Sequence, residues 1–148
     1  MDQWQLISWG MDWAWGLPLI VLTVVFHAFG LGFISRRVTS TLAGESWLQD
    51  SSAVSVLVMG GSALWAITLH AFESFLWALA YLFLGALQDI KTSILYSLGA
   101  MTTYGHENLV LAPSWRLMGT LEALDGWILF GLTTAFLFSI MQKAWPRT

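Results

Sequence analysis

Three groups of polar residues stand inside an otherwise apolar chain, and each has the types to do chemistry. The first is the run Thr102-Thr103-Tyr104-Gly105-His106-Glu107-Asn108. Its hydroxyls and carboxylate are hard oxygen donors suited to cations. Its imidazole titrates near neutral pH. The second group is His27, His70 and Glu73. His70 and Glu73 are three apart and so share a helix face, which Trp77 and Tyr81 continue. Gly30 and Gly32 would let the helix carrying His27 approach closely. Ionisable residues within apolar helices are costly and mark function by default. The favoured reading of this group is a buried polar clamp between helices. The sharper alternative is a metal or proton site. The third group is Glu122 and Asp125, again three apart on one helix. No nucleophile–base spacing, phosphate loop or paired-histidine motif is present, so an enzyme is not expected.

The elements that carry these groups follow from composition. The chain has 148 residues, of which 57% are hydrophobic and 10% charged. Soluble domains carry about 25% charged residues, so this is a membrane protein by composition. Nine acidic and six basic residues leave a net charge of −3, with no basic patch for nucleic acid. There is no cysteine, which excludes disulfides and thiolate metal sites. Ten tryptophans suit the membrane interface, where the ring is buried and the N–H stays wet. The N-terminal stretch carries no Lys or Arg, unlike a signal peptide.

A spanning helix needs roughly 20 apolar residues. The first candidate covers 17–34, with Pro18 expected in its first turn. An outer helix follows at 53–84 and an inner helix at 117–141. Between them, 90–102 is too short to span and fits a re-entrant helix capped by Asp89 or Gln88. The Trp-rich stretch 1–16 reads as an interfacial segment. Residues 35–52 read as a cytoplasmic loop and 142–148 as a cytoplasmic tail. Arg36, Arg37, Lys143 and Arg147 orient the chain with its N-terminus outside and its C-terminus inside. Lys91 and Arg116 weigh slightly against this orientation. The expected location is a bacterial inner membrane, multi-pass, with lipid as one partner.

The segment "ILYSLGAMTTYGHENLVLAPSWRLMGTLEALDG" resembles the pore helix, filter and inner helix of small bacterial potassium-channel-like proteins. The resemblance covers about 77–141. It implies an all-α integral membrane fold: three transmembrane helices plus a re-entrant pore helix and filter loop, assembled as a homotetramer around one pore. It implies a filter at Thr102, Thr103, Tyr104, Gly105, His106, Glu107 and Asn108. In potassium channels the filter carbonyls replace the ion's hydration shell. Three positions depart from that pattern. His106 stands where an aromatic is expected, Glu107 where a glycine is expected, and Asn108 where an aspartate is expected. A non-glycine residue in a left-handed conformation costs roughly 1–2 kcal/mol. The outer filter is therefore expected to change shape, with permeant cations held at Thr103 and at a ring of Glu107 carboxylates. The resemblance further implies that Glu122, with Asp125 and Trp115, supports the filter from behind. The alternative places one of the two acids in the cavity. Gly126 and Gly131 are either gate hinges or packing positions.

The expected function is a tetrameric cation channel, weakly selective among K+ and Na+ and admitting divalents such as Ca2+. No bound cofactor is expected beyond the permeant cations. The competing expectation is a non-conducting structural or accessory protein that keeps the pore fold.

Overall fold

The computed structural model describes residues 3–44, 52–105 and 108–145. His106 and Glu107, two of the expected filter residues, lie outside the described residues. All regular structure among the described residues is helical. Helix α1 spans Gln3–Gly44, α2 Ser52–Phe83, α3 Ile90–Met101 and α4 Arg116–Ala144, with a 3-10 turn at Pro113–Trp115. Three of these helices are long and apolar enough to cross a bilayer.

Helix α1 differs from its expectation at both ends. Its 42 residues absorb part of the segment read as interfacial and part of the stretch read as a loop. At 1.5 Å per residue it is about 63 Å long, twice the hydrocarbon thickness. The physical reason is the absence of any breaker between Ile34 and Gly44. At the other end, Gly16 lies directly against Leu121 of α4, so the early turns pack as helix rather than forming a separate element. Pro18 therefore sits inside the helix and not in its first turn. Trp9, Trp13 and Trp15 are exposed, while Asp12 on the same turns is buried.

The three long helices run alternately up and down, and cross-chain contacts fix their levels. At one end Lys143 Nζ reaches Ser35 Oγ at 3.4 Å and Thr39 Oγ1 at 3.3 Å. Ser55 Oγ donates to the Ala144 carbonyl at this same end. Trp65 Nε1 donates to the Gly30 carbonyl at 2.9 Å, where Leu69 lies on the glycine surface. Gly32 makes no comparable contact. At the opposite end α2 stops in a Schellman turn: Ala86 N–H bonds the Tyr81 carbonyl at 2.9 Å and Gly85 N–H the Leu82 carbonyl at 3.2 Å. Gly85 takes φ +67°, which a residue with a Cβ reaches only under strain.

Helix α3 starts at this end. Asp89 caps it, its carboxylate accepting from Thr92 N–H at 2.9 Å. Hydrogen bonds from Thr92 hold the Asp89 carboxyl below its ordinary value. A lowered value means that the folded state binds the proton less well than the unfolded chain. The contribution is thus full above the ordinary aspartate range and is lost as pH falls through the folded value. Asp89→Asn is expected to keep the cap and lose this acid dependence, and Asp89→Ala to lower the melting temperature above the aspartate range, by an amount that shrinks as pH falls. Thermal unfolding in detergent across the acidic range checks both. An acid limb unchanged in Asp89→Asn would refute the assignment.

From Asp89 the short helix runs alongside α4 in the same direction. Tyr96 meets Gly119, Ser97 meets Glu122, and Met101 meets Gly126. Gly126 is ten residues into α4, so the end of α3 lies about 15 Å along that helix. Trp77, Tyr81, Tyr96, Trp115, Met118 and Leu129 form the core around this junction.

Candidate functional site

The turn that follows α3 contains the described part of the expected filter. Thr102 closes the helix, its hydroxyl donating to the Leu98 carbonyl at 2.6 Å. Thr103 N–H bonds the Ala100 carbonyl at 3.1 Å, and Gly105 N–H bonds the Gly99 carbonyl at 3.3 Å. Thr103 adopts φ +57° and Gly105 φ +89°. Thr102 is the C-cap, and a left-handed threonine just past it occupies the place usually held by glycine, at about 1–2 kcal/mol. Backbone strain of this kind concentrates at functional sites. Thr102, Thr103 and Tyr104 are exposed on the single chain, Tyr104 at 90%. A cavity of about 600 Å³ opens beside the turn, lined by Ser74, Met101, Thr102, Thr103, Trp127 and, at its inner end, His70.

Behind the turn lie Glu122 and Asp125, both fully buried within the chain. Tyr81 Oη donates to Glu122 Oε2 at 2.6 Å. The Ser97 hydroxyl donates to the other Glu122 oxygen and also lies 2.7 Å from the Ser74 carbonyl. One carboxylate thus joins α2, α3 and α4. One turn deeper, Asp125 Oδ2 accepts from Thr23 Oγ1 at 2.7 Å and from Trp77 Nε1 at 2.9 Å, joining α1, α2 and α4. Both acids are buried within the chain, and neither lines the cavity beside the turn. Trp115 is buried at the start of α4, in the core cluster. A Cβ on Gly126 would meet the Met101 carbonyl oxygen at 2.2 Å, whereas one on Gly131 would meet nothing within 4 Å. Gly126 is therefore a contact position between α3 and α4.

The second cluster is assembled on three helices. His27 Nδ1 lies 2.8 Å from Glu73 Oε1, and His27 Nε2 lies 2.9 Å from Thr133 Oγ1. The same hydroxyl lies 3.1 Å from His70 Nε2. His70 Nδ1 lies 3.5 Å from Glu73 Oε2. The two imidazole rings are 4.9 Å apart. His27 and Glu73 are completely buried, and His70 keeps 28% of its side chain exposed.

Sequence reasoning named His27, His70 and Glu73 but missed what completes their surroundings. Thr133, which nothing in its local sequence marks, bridges both histidines. Thr23 went unmarked, though it lies four residues before His27 and so on the same face. Ser97 carried no signal beyond its place in a short helix. The chain matches no protein-family model, and neither a curated protein nor a solved structure is detectably similar to it.

Proposed function

We propose that this chain is the subunit of a tetrameric cation channel, with α3 as a re-entrant pore helix and the turn after it as the filter. The observation that carries the reading is the position of Met101 beside Gly126, well along α4, with the polar turn starting there. Polar, non-helical backbone at bilayer depth is tolerated only when it is buried in protein or lines a water-filled cavity. Around a fourfold axis, four α3 helices would aim their negative C-terminal ends inward and favour a cation. Thr103 and Gly105 would line the inner filter, and Glu107 would set a carboxylate ring at the outer mouth. Trp127 and Phe130, exposed at 71% and 69% on α4, would face neighbouring subunits or lipid. The N-terminus lies outside the cell in this reading, and Arg36, Arg37 and Lys143 share the cytoplasmic end.

A non-conducting membrane scaffold is the second reading. It is favoured by the turn folding back on its own helix, with Gly105 N–H bonded to Gly99. A reversal-potential measurement separates the two. The protein in a planar bilayer, with K+ on one side and Na+ on the other, is expected to reverse near zero. A strongly K+-selective value would show that Glu107 is accommodated in a potassium-type filter. No current from intact tetramers, beside an active control channel, would favour the scaffold.

A further inference from the structure

The cluster of His27, His70, Glu73 and Thr133 is a closed ring of contacts, and its protons can be counted. An ionised carboxylate only accepts, a neutral imidazole has one N–H, and a hydroxyl has one O–H. Glu73 Oε1 accepts, so the His27 proton is on Nδ1 at 2.8 Å. His27 Nε2 is then bare and takes the Thr133 hydroxyl proton at 2.9 Å. The Thr133 oxygen can only accept from His70, so the His70 proton is on Nε2 at 3.1 Å. His70 Nδ1 is left bare, and it faces Glu73 Oε2, a buried oxygen with no hydrogen-bond partner. Three protons satisfy three contacts, and the fourth contact sets two lone pairs against each other. A fourth proton or a metal ion between the two atoms relieves that conflict.

The spacing indicates which cation. The two atoms are 3.5 Å apart, too far for a good hydrogen bond. Donors held at ~2.1 Å around a tetrahedral divalent metal lie about 3.4 Å from each other. His27, His70 and Glu73 each offer a ligand atom within 4.8 Å of the others. Imidazole with carboxylate suits zinc and its neighbours among the transition metals. An entrance exists, because His70 lines the cavity beside the turn. We infer that His70 and Glu73 form a binding site for a divalent transition metal of the zinc class, seated between Glu73 Oε2 and His70 Nδ1, with His27 positioning the carboxylate through its Nδ1–H. The inference does not depend on conduction.

The test is metal binding by the full chain in detergent, stripped with a chelator and titrated with Zn2+ and with Co2+. One metal ion per chain is expected, with the intense visible absorption of tetrahedral Co2+. His70→Ala is the first variant, because His70 is partly exposed and its loss leaves the His27–Glu73 contact in place. Affinity should fall at least about tenfold in His70→Ala and in Glu73→Gln. Thr133→Val removes the bridging hydroxyl but no ligand, and should still bind one ion. His106→Ala should bind as the parent does. A parent chain that takes up no metal would overturn the inference whatever the variants do. So would binding that survives His70→Ala or disappears with His106→Ala, which would place the ion elsewhere.

Discussion

Gly126→Ala is expected to unfold or rearrange the junction of α3 and α4. The added Cβ would stand 2.2 Å from the Met101 carbonyl oxygen and 2.9 Å from the Met101 carbonyl carbon and Cα. All three obstacles are backbone, so no rotamer change relieves them. Overpacking of a well-packed core costs about 1–3 kcal/mol when side chains can give way. Here the helix must move, so a cost at or above the top of that range is expected. Alanine's better helix propensity returns at most about 1 kcal/mol. Gly131→Ala keeps that propensity gain without the clash and should be neutral or stabilising. Thermal unfolding of the two variants in detergent, side by side, checks the pair. If Gly126→Ala melts with the parent, α3 does not rest on α4 as described. Conductance adds a second reading. If the chain conducts as proposed, packing at Gly126 means that Gly126→Ala loses current while Gly131→Ala keeps it, whereas a hinge at both glycines would change gating in both.

Glu122→Leu is the other large effect. The substitution leaves the Tyr81 hydroxyl buried without its 2.6 Å acceptor and removes one of the two acceptors near Ser97. A buried polar group stripped of its partner costs about 1–3 kcal/mol. Interhelical hydrogen bonds within membranes are at the weaker end, averaging ~0.6 kcal/mol. A total loss of about 1–3 kcal/mol is expected for Glu122→Leu. Glu122→Gln keeps an acceptor oxygen and should cost about 1 kcal/mol, within the range of a single exchanged hydrogen bond. A double-mutant cycle with Tyr81→Phe isolates the pair, and a coupling of about 1 kcal/mol is expected. Equal losses in the Leu and Gln variants, with no coupling to Tyr81, would mean that the carboxylate holds nothing together.

The long apolar stretches were legible because a bilayer demands length and hydrophobicity, and both are written directly in composition. The short helix at 90–101 was legible from its length and from Asp89, a good N-cap. The gathering of His27 with His70 and Glu73 was legible from three-residue spacing and from Gly30, which meets Leu69 across the helices. What escaped depended on which residues of different helices stand at the same level. Thr133 pairs with residues 63 and 106 positions away, and nothing local marks it. The extent of α1 escaped for a different reason. Its polar ends read as loop and interface, but helix continues wherever no residue stops it and a neighbour supports it, as Leu121 does at Gly16. Gly126 was legible only as a glycine; the close approach of Met101 separates a packing site from a hinge.

The contacts of α1 also bear on the order of assembly. Thr23 and His27 find their partners at Trp77's neighbour Asp125 and at Glu73 and Thr133, all later in the chain. Synthesis delivers α1 to the bilayer first, and within its apolar stretch 17–34 His27 and Thr23 are light burdens. Helix α4 arrives last with two acids near its middle and outer turns, each costing about 2.5–3.5 kcal/mol at a helix centre during insertion. The donors that receive those acids are Thr23, Trp77 and Tyr81, on helices already in place. The first two helices therefore act as the receptor for the third, and insertion of α4 is tied to their prior pairing.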